Sequence, residues 1–275
     1  MRRRSLLVAA AAASLALALT ACASPAGKTP TETTGVAPTA NATSPLTGEV
    51  TVYAAASLRA AFDRISAAFV AENPGVRVPP IVYDGSSTLA TQIIEGADVD
   101  VFASADQKNM TKVSDASLTA GPPELFATNT LVIAVPRGNP AGITALADLA
   151  APGTAVVLCA PEVPCGAASQ TLLGNAGVIV TPASLEQNVT AVLTKVAAGE
   201  ADAGLVYATD VIGDDEVESI VPDGAAAVVN TYPIATLTSS RNGTSSTNEA
   251  AAAFVAFVTG PEGQRILADL GFGAP

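Results

Sequence analysis

The chain has 275 residues, of which 49% are hydrophobic and 4% aromatic, and it carries a formal net charge of −12. This length allows one large or two modest domains, and the acidic balance makes nucleic acid and anionic lipid surfaces poor partners. Histidine is absent from the sequence. Most hydrolase mechanisms and sites for a free metal cation are therefore disfavoured, because histidine is the commonest general base and zinc ligand.

The amino terminus predicts a secretory signal at residues 1–21. Three arginines at positions 2–4 precede an uncharged, alanine-rich stretch that is too short for a comfortable membrane span. The stretch ends in LTAC at 19–22, which resembles the bacterial lipoprotein box, so we expect cleavage before Cys22 and lipid attachment to that cysteine. The alternative is an ordinary signal peptide with an incidental cysteine. Either interpretation locates the protein outside the cytoplasm, and the first anchors it to the cell membrane.

Residues 22–48 form the predicted lipid anchor and tether, because Ser, Thr, Pro, Ala and Gly dominate the segment and few side chains could be buried. The remaining residues, 49–275, are the predicted folded region. Losing the three signal arginines would leave 10 basic and 25 acidic residues, a net charge of −15. Net charge does not decide the ligand, since exposed charges more than about 10 Å away are largely screened by salt.

Short β-branched runs alternate with helical patterns along the folded region, which predicts an α/β fold with a largely parallel sheet. No phosphate-binding loop or dinucleotide fingerprint occurs. The predicted strands are 50–53, 76–83, 100–103, 131–135, 155–159, 203–207 and 232–237. The predicted helices are 57–72, 86–95, 107–113, one after Cys165, 189–198, 247–258 and 261–270.

Cys159 and Cys165 are the two cysteines beyond Cys22. Their spacing of six residues in an oxidising compartment favours a disulfide, worth roughly 2 kcal/mol on the chain-entropy model. A metal site with two thiol ligands is the weaker alternative.

Four positions stand where an extended segment turns into a helix: Ser57, Ser86, Cys165 and Val189. The start of a helix exposes unpaired backbone N–H groups and the positive end of the helix dipole, which suits an anion. For each serine the alternative is a plain helix cap. Convergence at the carboxyl ends of strands would favour a ligand site.

Motifs along the whole folded region carry a family resemblance. They are VYAAASL at 52–58, SSTLA at 86–90, DVFASADQ at 100–107, PEVPCG at 161–166, GLVY at 204–207, GPEG at 260–263 and GFG at 271–273. These motifs resemble those of the molybdate-binding proteins of bacterial ABC importers.

The resemblance implies a two-lobed periplasmic-binding-protein fold of type II, in which each lobe is a mixed sheet flanked by helices and the ligand lies in the cleft. Residues 49–128 and 236–275 would form lobe 1, and residues 129–235 would form lobe 2. The implied molybdate ligands are Ser57, Ser86, Cys165, Val189 and Tyr207, of which Tyr207 has a role in strand packing as its alternative. The resemblance also implies permease and ATPase subunits as partners. We expect a monomer with no cofactor.

The hypothesis is therefore capture of molybdate, with tungstate as a second ligand because the two oxyanions have nearly the same shape and charge. One alternative is the same fold binding sulfate or phosphate. Another is an enzyme with a serine nucleophile, which the sequence disfavours because no lysine stands three residues after a serine. A third is a structural lipoprotein that binds no oxyanion.

Overall fold

The computed structural model describes residues 45–238 and 248–275. The predicted signal peptide, Cys22 and most of the predicted tether lie outside the described residues, as does Thr247 at the start of one predicted helix. Within the described ranges, no helix has both the length and the apolar character to span a membrane.

The strands of the described residues lie mostly in two sheet regions that share one long strand. In chain order they are β1 (Gly48–Glu49), β2 (Val52–Ala55), β3 (Val76–Arg77), β4 (Val82–Asp84), β5 (Val101–Ala103), β6 (Glu124–Pro136), β7 (Val156–Cys159), β8 (Ser184–Glu186), β9 (Ala203–Tyr207), β10 (Val217–Ile220) and β11 (Val229–Thr236). β1 pairs in parallel with β3 in a small separate sheet, and Leu46 packs against the neighbouring core.

The first sheet region has the strand order β4-β2-β5-β11-β6, in which β2 is parallel to β4 and β5 while β11 is antiparallel to both of its neighbours. The second has the order β6-β9-β7-β8, with β10 on the other side of β6. Residues 124–130 of β6 pair with β11, and residues 131–134 pair with β9. β6 therefore runs from one sheet region into the other.

Helices cover both sheet regions, and each region has its own hydrophobic core. Phe62, Phe69 and Phe254 are buried in the first core, whereas Val192 and Leu205 are buried in the second. This arrangement confirms the predicted α/β class. The helices are α1 (Arg59–Glu72), α2 (Ser86–Ile94), α3 (Gln107–Asp115), α4 (Pro164–Ala176), α5 (Val189–Ala197), α6 (Glu249–Thr259) and α7 (Pro261–Asp269).

Several predicted strands differ from the observed ones. The predicted strand 76–83 is two short strands, β3 and β4, because Pro79 and Pro80 between them supply no backbone donors. β6 begins seven residues earlier than expected, at Glu124. The sequence did not predict β8 or β10, which are short and present exposed or half-exposed residues such as Leu185 and Glu218. Where the predicted helix 57–72 begins, residues Ala56–Leu58 form a 3₁₀ turn that leads into α1.

Candidate ligand-binding site

A small cavity of about 10 Å³ lies where the two sheet regions meet. One wall comes from the ends of β2, β4 and β5, and the other from the starts of α4 and α5 with the end of β9. All five residues predicted as ligands line this cavity, and their role in binding stays a prediction. The lining residues are Ala55, Ala56, Ser57, Asp84, Gly85, Ser86, Ala105, Val163, Pro164, Cys165, Val189 and Tyr207.

Three helices begin at this cavity. Ser86 is the first residue of α2, Cys165 the second residue of α4, and Val189 the first residue of α5. The first backbone N–H groups of a helix have no acceptor within it, and the dipole makes that end positive. In α2 the N–H of Leu89 donates to Gly85 O, and in α4 the N–H of Ala167 donates to Val163 O. The N–H groups before Leu89 and Ala167 therefore lie ahead of the first hydrogen bonds between successive helical turns. Three helix starts therefore present backbone donors and positive dipole ends to the cavity, and no cationic side chain is among its lining residues.

Ser86 is fully buried, and its hydroxyl oxygen accepts the backbone N–H of Ala105 at 2.9 Å. Gly85 occupies the N-cap position of α2, and no side chain caps that helix. The alternative of Ser86 as a plain helix cap is therefore wrong. Because the oxygen already accepts a bond, the hydroxyl proton of Ser86 is available to an acceptor in the cavity.

Ser57 lies in the 3₁₀ turn, where Ala55 is the N-cap residue and no side chain caps. Its hydroxyl lies 3.1 Å from the hydroxyl of Tyr232, which is fully buried on β11. Burial raises the pKa of Tyr232, so this phenol stays protonated. The capping alternative is wrong for Ser57 as well, since its side chain contacts Tyr232 instead.

Tyr207 ends β9 and is buried beside the cavity. Burial raises its pKa well above the ordinary value, and the nearby Tyr232, Asp106 and Asp210 raise it further. The phenol therefore remains a hydrogen-bond donor at any physiological pH. Its oxygen accepts a bond from the side-chain amide of Asn230 at 3.0 Å.

Sequence reasoning missed Asn230 and Tyr232. Both are buried and lie two residues apart on β11, so they share one face of the strand. That period-two spacing of a polar and an aromatic residue was the available signal. It gave no indication of which distant residues they would contact.

Contacts cross the cleft beside the cavity and hold it closed. The side-chain amide of Asn188 donates to Asp84 Oδ1 at 2.8 Å, and the amide of Asn109 donates to the carbonyl of Glu162 at 3.4 Å. Asp84 Oδ1 also accepts the N–H of Gly85 at 2.7 Å. Asp84 is half-buried and lines the cavity, so its carboxylate belongs to the site.

Cys159 and Cys165 form the predicted disulfide, with their Cα atoms 5.7 Å apart. Cys159 ends β7 and Cys165 lies in the first turn of α4, so the bond ties a strand end to a helix start that lines the cavity. Both residues are buried.

We expect reduction of this disulfide to lower the free energy of unfolding by about 2 kcal/mol, because the closed loop of seven residues restricts the unfolded chain. Urea unfolding of the protein before and after treatment with a dithiol reductant measures the change. The double variant Cys159→Ala, Cys165→Ala is the control, since the reductant should not alter its midpoint. Equal midpoints for oxidised and reduced wild-type protein would contradict the expectation.

Residues 50–273 match the family model described as bacterial extracellular solute-binding protein. The chain belongs to this family, which is extracytoplasmic, and the predicted two-lobed solute-binding-protein fold is confirmed. The boundaries proposed for its lobes stay a prediction.

Among its relatives, the molybdate-binding protein ModA of Mycobacterium tuberculosis is 47% identical over 229 residues, covering 82% of this chain and 85% of the relative. The solved periplasmic molybdate-binding protein of Azotobacter vinelandii has a TM-score of 0.67 at 19% identity, covering 82% of this chain and 99% of that one. The sulfate-binding protein SubI of Mycobacterium tuberculosis has a TM-score of 0.69 at 18% identity, covering 82% and 86%. The two structural likenesses show the fold, and the first relative agrees with the resemblance seen in the motifs.

Proposed function

We propose that this protein captures molybdate outside the cytoplasm and delivers it to an ABC importer. The observation that carries the proposal is the cavity in which three helix starts and the hydroxyls of Ser57, Ser86 and Tyr207 converge. The 47% identity to a molybdate-binding relative supports the choice of ligand.

The hydrogen-bonding pattern of this cavity suits a dianion that carries no proton. Such an ion offers acceptors only, and helix starts and hydroxyls offer donors. Asp84 is the one carboxylate in the lining, and its Oδ1 is engaged by Gly85 and Asn188. An oxyanion carrying an O–H would bring a donor of its own to these donors, which costs binding free energy.

Tungstate is the second ligand we propose, because its tetrahedral dianion closely matches that of molybdate in shape and charge. The delivery step requires permease and ATPase subunits as partners, and closure of the cleft would report occupancy to them. Lipidation of Cys22 would hold a monomeric protein at the membrane surface. In this proposal the protein binds its ligand without a cofactor and without catalysing a reaction.

Calorimetric titration of the protein lacking its signal peptide, with molybdate and with sulfate as competitor, tests the proposal. Tight binding that excess sulfate does not displace is expected. Sulfate or phosphate binding without molybdate binding would keep the fold and replace the ligand, in line with the structural likeness to a sulfate-binding protein. A chain that binds none of these ions would have a structural role instead.

Ser86→Ala should lower molybdate affinity by roughly 10- to 100-fold, because a hydrogen bond to a charged group contributes about 1.5–3 kcal/mol. The same titration measures the loss. Ser114→Ala is the matched control, since the hydroxyl of Ser114 bonds to the carbonyl of Met110 within α3, and neither residue lines the cavity. An affinity for Ser86→Ala equal to that of the control would remove Ser86 from the site.

A further inference from the structure

Asn230 is a buried polar residue behind the cavity, with 8% of its surface exposed. Its side-chain Nδ2 lies 3.0 Å from the carbonyl oxygen of Ala105 and 3.0 Å from the hydroxyl oxygen of Tyr207. Ala105 and Tyr207 both line the cavity, on opposite walls, whereas Asn230 does not. Asn230 therefore links Ala105 on one wall to Tyr207 on the other without lining the cavity itself.

The chemistry of these contacts fixes the direction of each hydrogen bond. A carbonyl oxygen only accepts, so the atom of Asn230 that faces Ala105 must be the NH₂ group and not the amide oxygen. The same NH₂ group has a second proton, which it donates to the oxygen of Tyr207. The hydroxyl proton of Tyr207 must then point away from Asn230.

Ala105, whose carbonyl accepts a bond from Asn230, also forms a hydrogen bond of fixed direction with Ser86. The backbone N–H of Ala105 donates to the hydroxyl oxygen of Ser86, and a backbone N–H can only donate. The hydroxyls of Tyr207 and Ser86 thus each accept a bond from the protein, and their protons point away from Asn230 and Ala105. Tyr207 also shares a side-chain hydrogen bond with Tyr232. Asn230 holds Tyr207 in this state directly and contacts the residue that holds Ser86.

We propose that Asn230 is a positioning residue that sets the specificity of the cavity, because it keeps the Tyr207 hydroxyl in the donor state and so excludes oxyanions that carry an O–H. The inference rests on the proposed oxyanion-binding function and deepens it. Without Asn230, the Tyr207 hydroxyl can rotate and accept a hydrogen bond from a protonated ligand. Hydrogen phosphate is such a ligand at neutral pH, whereas molybdate and sulfate are not.

The test compares Asn230→Leu with wild-type protein in calorimetric titrations with molybdate, sulfate and phosphate at pH 7.5. Leucine has a similar size and cannot donate. We expect the affinity for molybdate to fall a few fold and the ratio of sulfate to phosphate affinity to fall by about tenfold, the scale of one hydrogen bond. If the role of Asn230 were purely structural, the variant would bind sulfate and phosphate more weakly to the same degree. An unchanged ratio of the two affinities would therefore overturn the inference.

Two further variants isolate the path through Tyr207. In a Tyr207→Phe background, Asn230→Leu should not change the ratio further, because the hydroxyl that it positions is gone. Asn73→Leu is the control: the side-chain amide of Asn73 donates to the carbonyl of Phe69, and neither residue lines the cavity. Asn73→Leu should leave the ratio at its wild-type value. An equal shift in the control would overturn the inference.

The outcomes separate this inference from the proposed function. Tight molybdate binding with a ratio unaffected by Asn230→Leu overturns only the role of Asn230. The protein could instead bind sulfate but not molybdate, with the sulfate-to-phosphate affinity ratio falling in Asn230→Leu as expected. That result overturns only the choice of molybdate. A wild-type protein that prefers phosphate to both proton-free dianions overturns both.

Discussion

Gly85→Ala should weaken molybdate binding by at least about 100-fold while leaving the ligand-free protein folded. A Cβ atom on Gly85 would lie 2.0 Å from the carbonyl oxygen of Gln187 and 3.3 Å from Cγ1 of Val163. Both contacts belong to the opposite wall of the cleft, just before the starts of α5 and α4. A loss of 100-fold corresponds to about 2.7 kcal/mol, which is modest for a clash against backbone.

The clash should prevent the cleft from closing, but it should not prevent the protein from folding. The backbone of Gly85 has φ of −60° and ψ of 135°, which alanine adopts without strain. The cleft can relieve the contact by opening, because Gly85 and Gln187 belong to different sheet regions. An open cleft would separate Ser86 from Cys165 and Val189, so the ligand could not contact both walls at once.

Titration with molybdate measures the affinity, and small-angle scattering with excess molybdate measures the closure that Gly85→Ala should prevent. Gly174→Ala is the control, because Gly174 lies inside α4 and a Cβ there meets nothing within 4 Å. That control should bind as wild type and gain up to about 1 kcal/mol of stability from helix propensity. Wild-type affinity in Gly85→Ala would mean that the ligand-bound protein does not have this closed cleft.

The closed cleft also shows which parts of the site were accessible to sequence reasoning. Ser86 and Val189 could be proposed because each begins a helix directly after an extended segment, a local pattern. Asn230 could not, because its bonding partner Ala105 is 125 residues away along the chain. Nothing local to Asn230 specifies that contact.

The same distinction between local and distant contacts applies to the fold. Helices such as α1 and α5 were predicted from the periodicity of their own side chains. The first half of β6 was missed because its strand character comes from pairing with β11, about 100 residues later in the chain. Strand pairing between remote segments leaves only a weak trace in either segment alone.

Asp210→Asn should stabilise the protein at pH 8 by roughly 2–4 kcal/mol. Burial raises the pKa of the Asp210 carboxyl from 3.8 to about 7, although its Oδ2 accepts the N–H of Tyr207 at 2.9 Å. A rise of about three units corresponds to roughly 4 kcal/mol, and the lower figure allows for screening by water, since the residue is partly exposed. Asparagine keeps an acceptor for Tyr207 and removes the charge.

The pH dependence identifies the cause. Between pH 4 and 7 the folded protein holds a proton on Asp210 that the unfolded chain has lost, so this group makes stability fall as pH rises through that range. Above pH 7 the folded protein has also released this proton, so Asp210 lowers the stability no further. Urea unfolding at pH 4, 6 and 8 should therefore show a difference between variant and wild type that is smallest at pH 4 and largest at pH 8.

A difference that does not change with pH would mean that Asp210 ionises as an ordinary surface carboxylate. The expected result has a further consequence for binding, because an ionised Asp210 beside Tyr207 adds negative charge next to the site proposed for a dianion. Molybdate affinity at pH 8 should then be higher in Asp210→Asn than in wild type. Asp215→Asn, at an exposed residue five positions further along the chain, is the control and should change neither stability nor affinity.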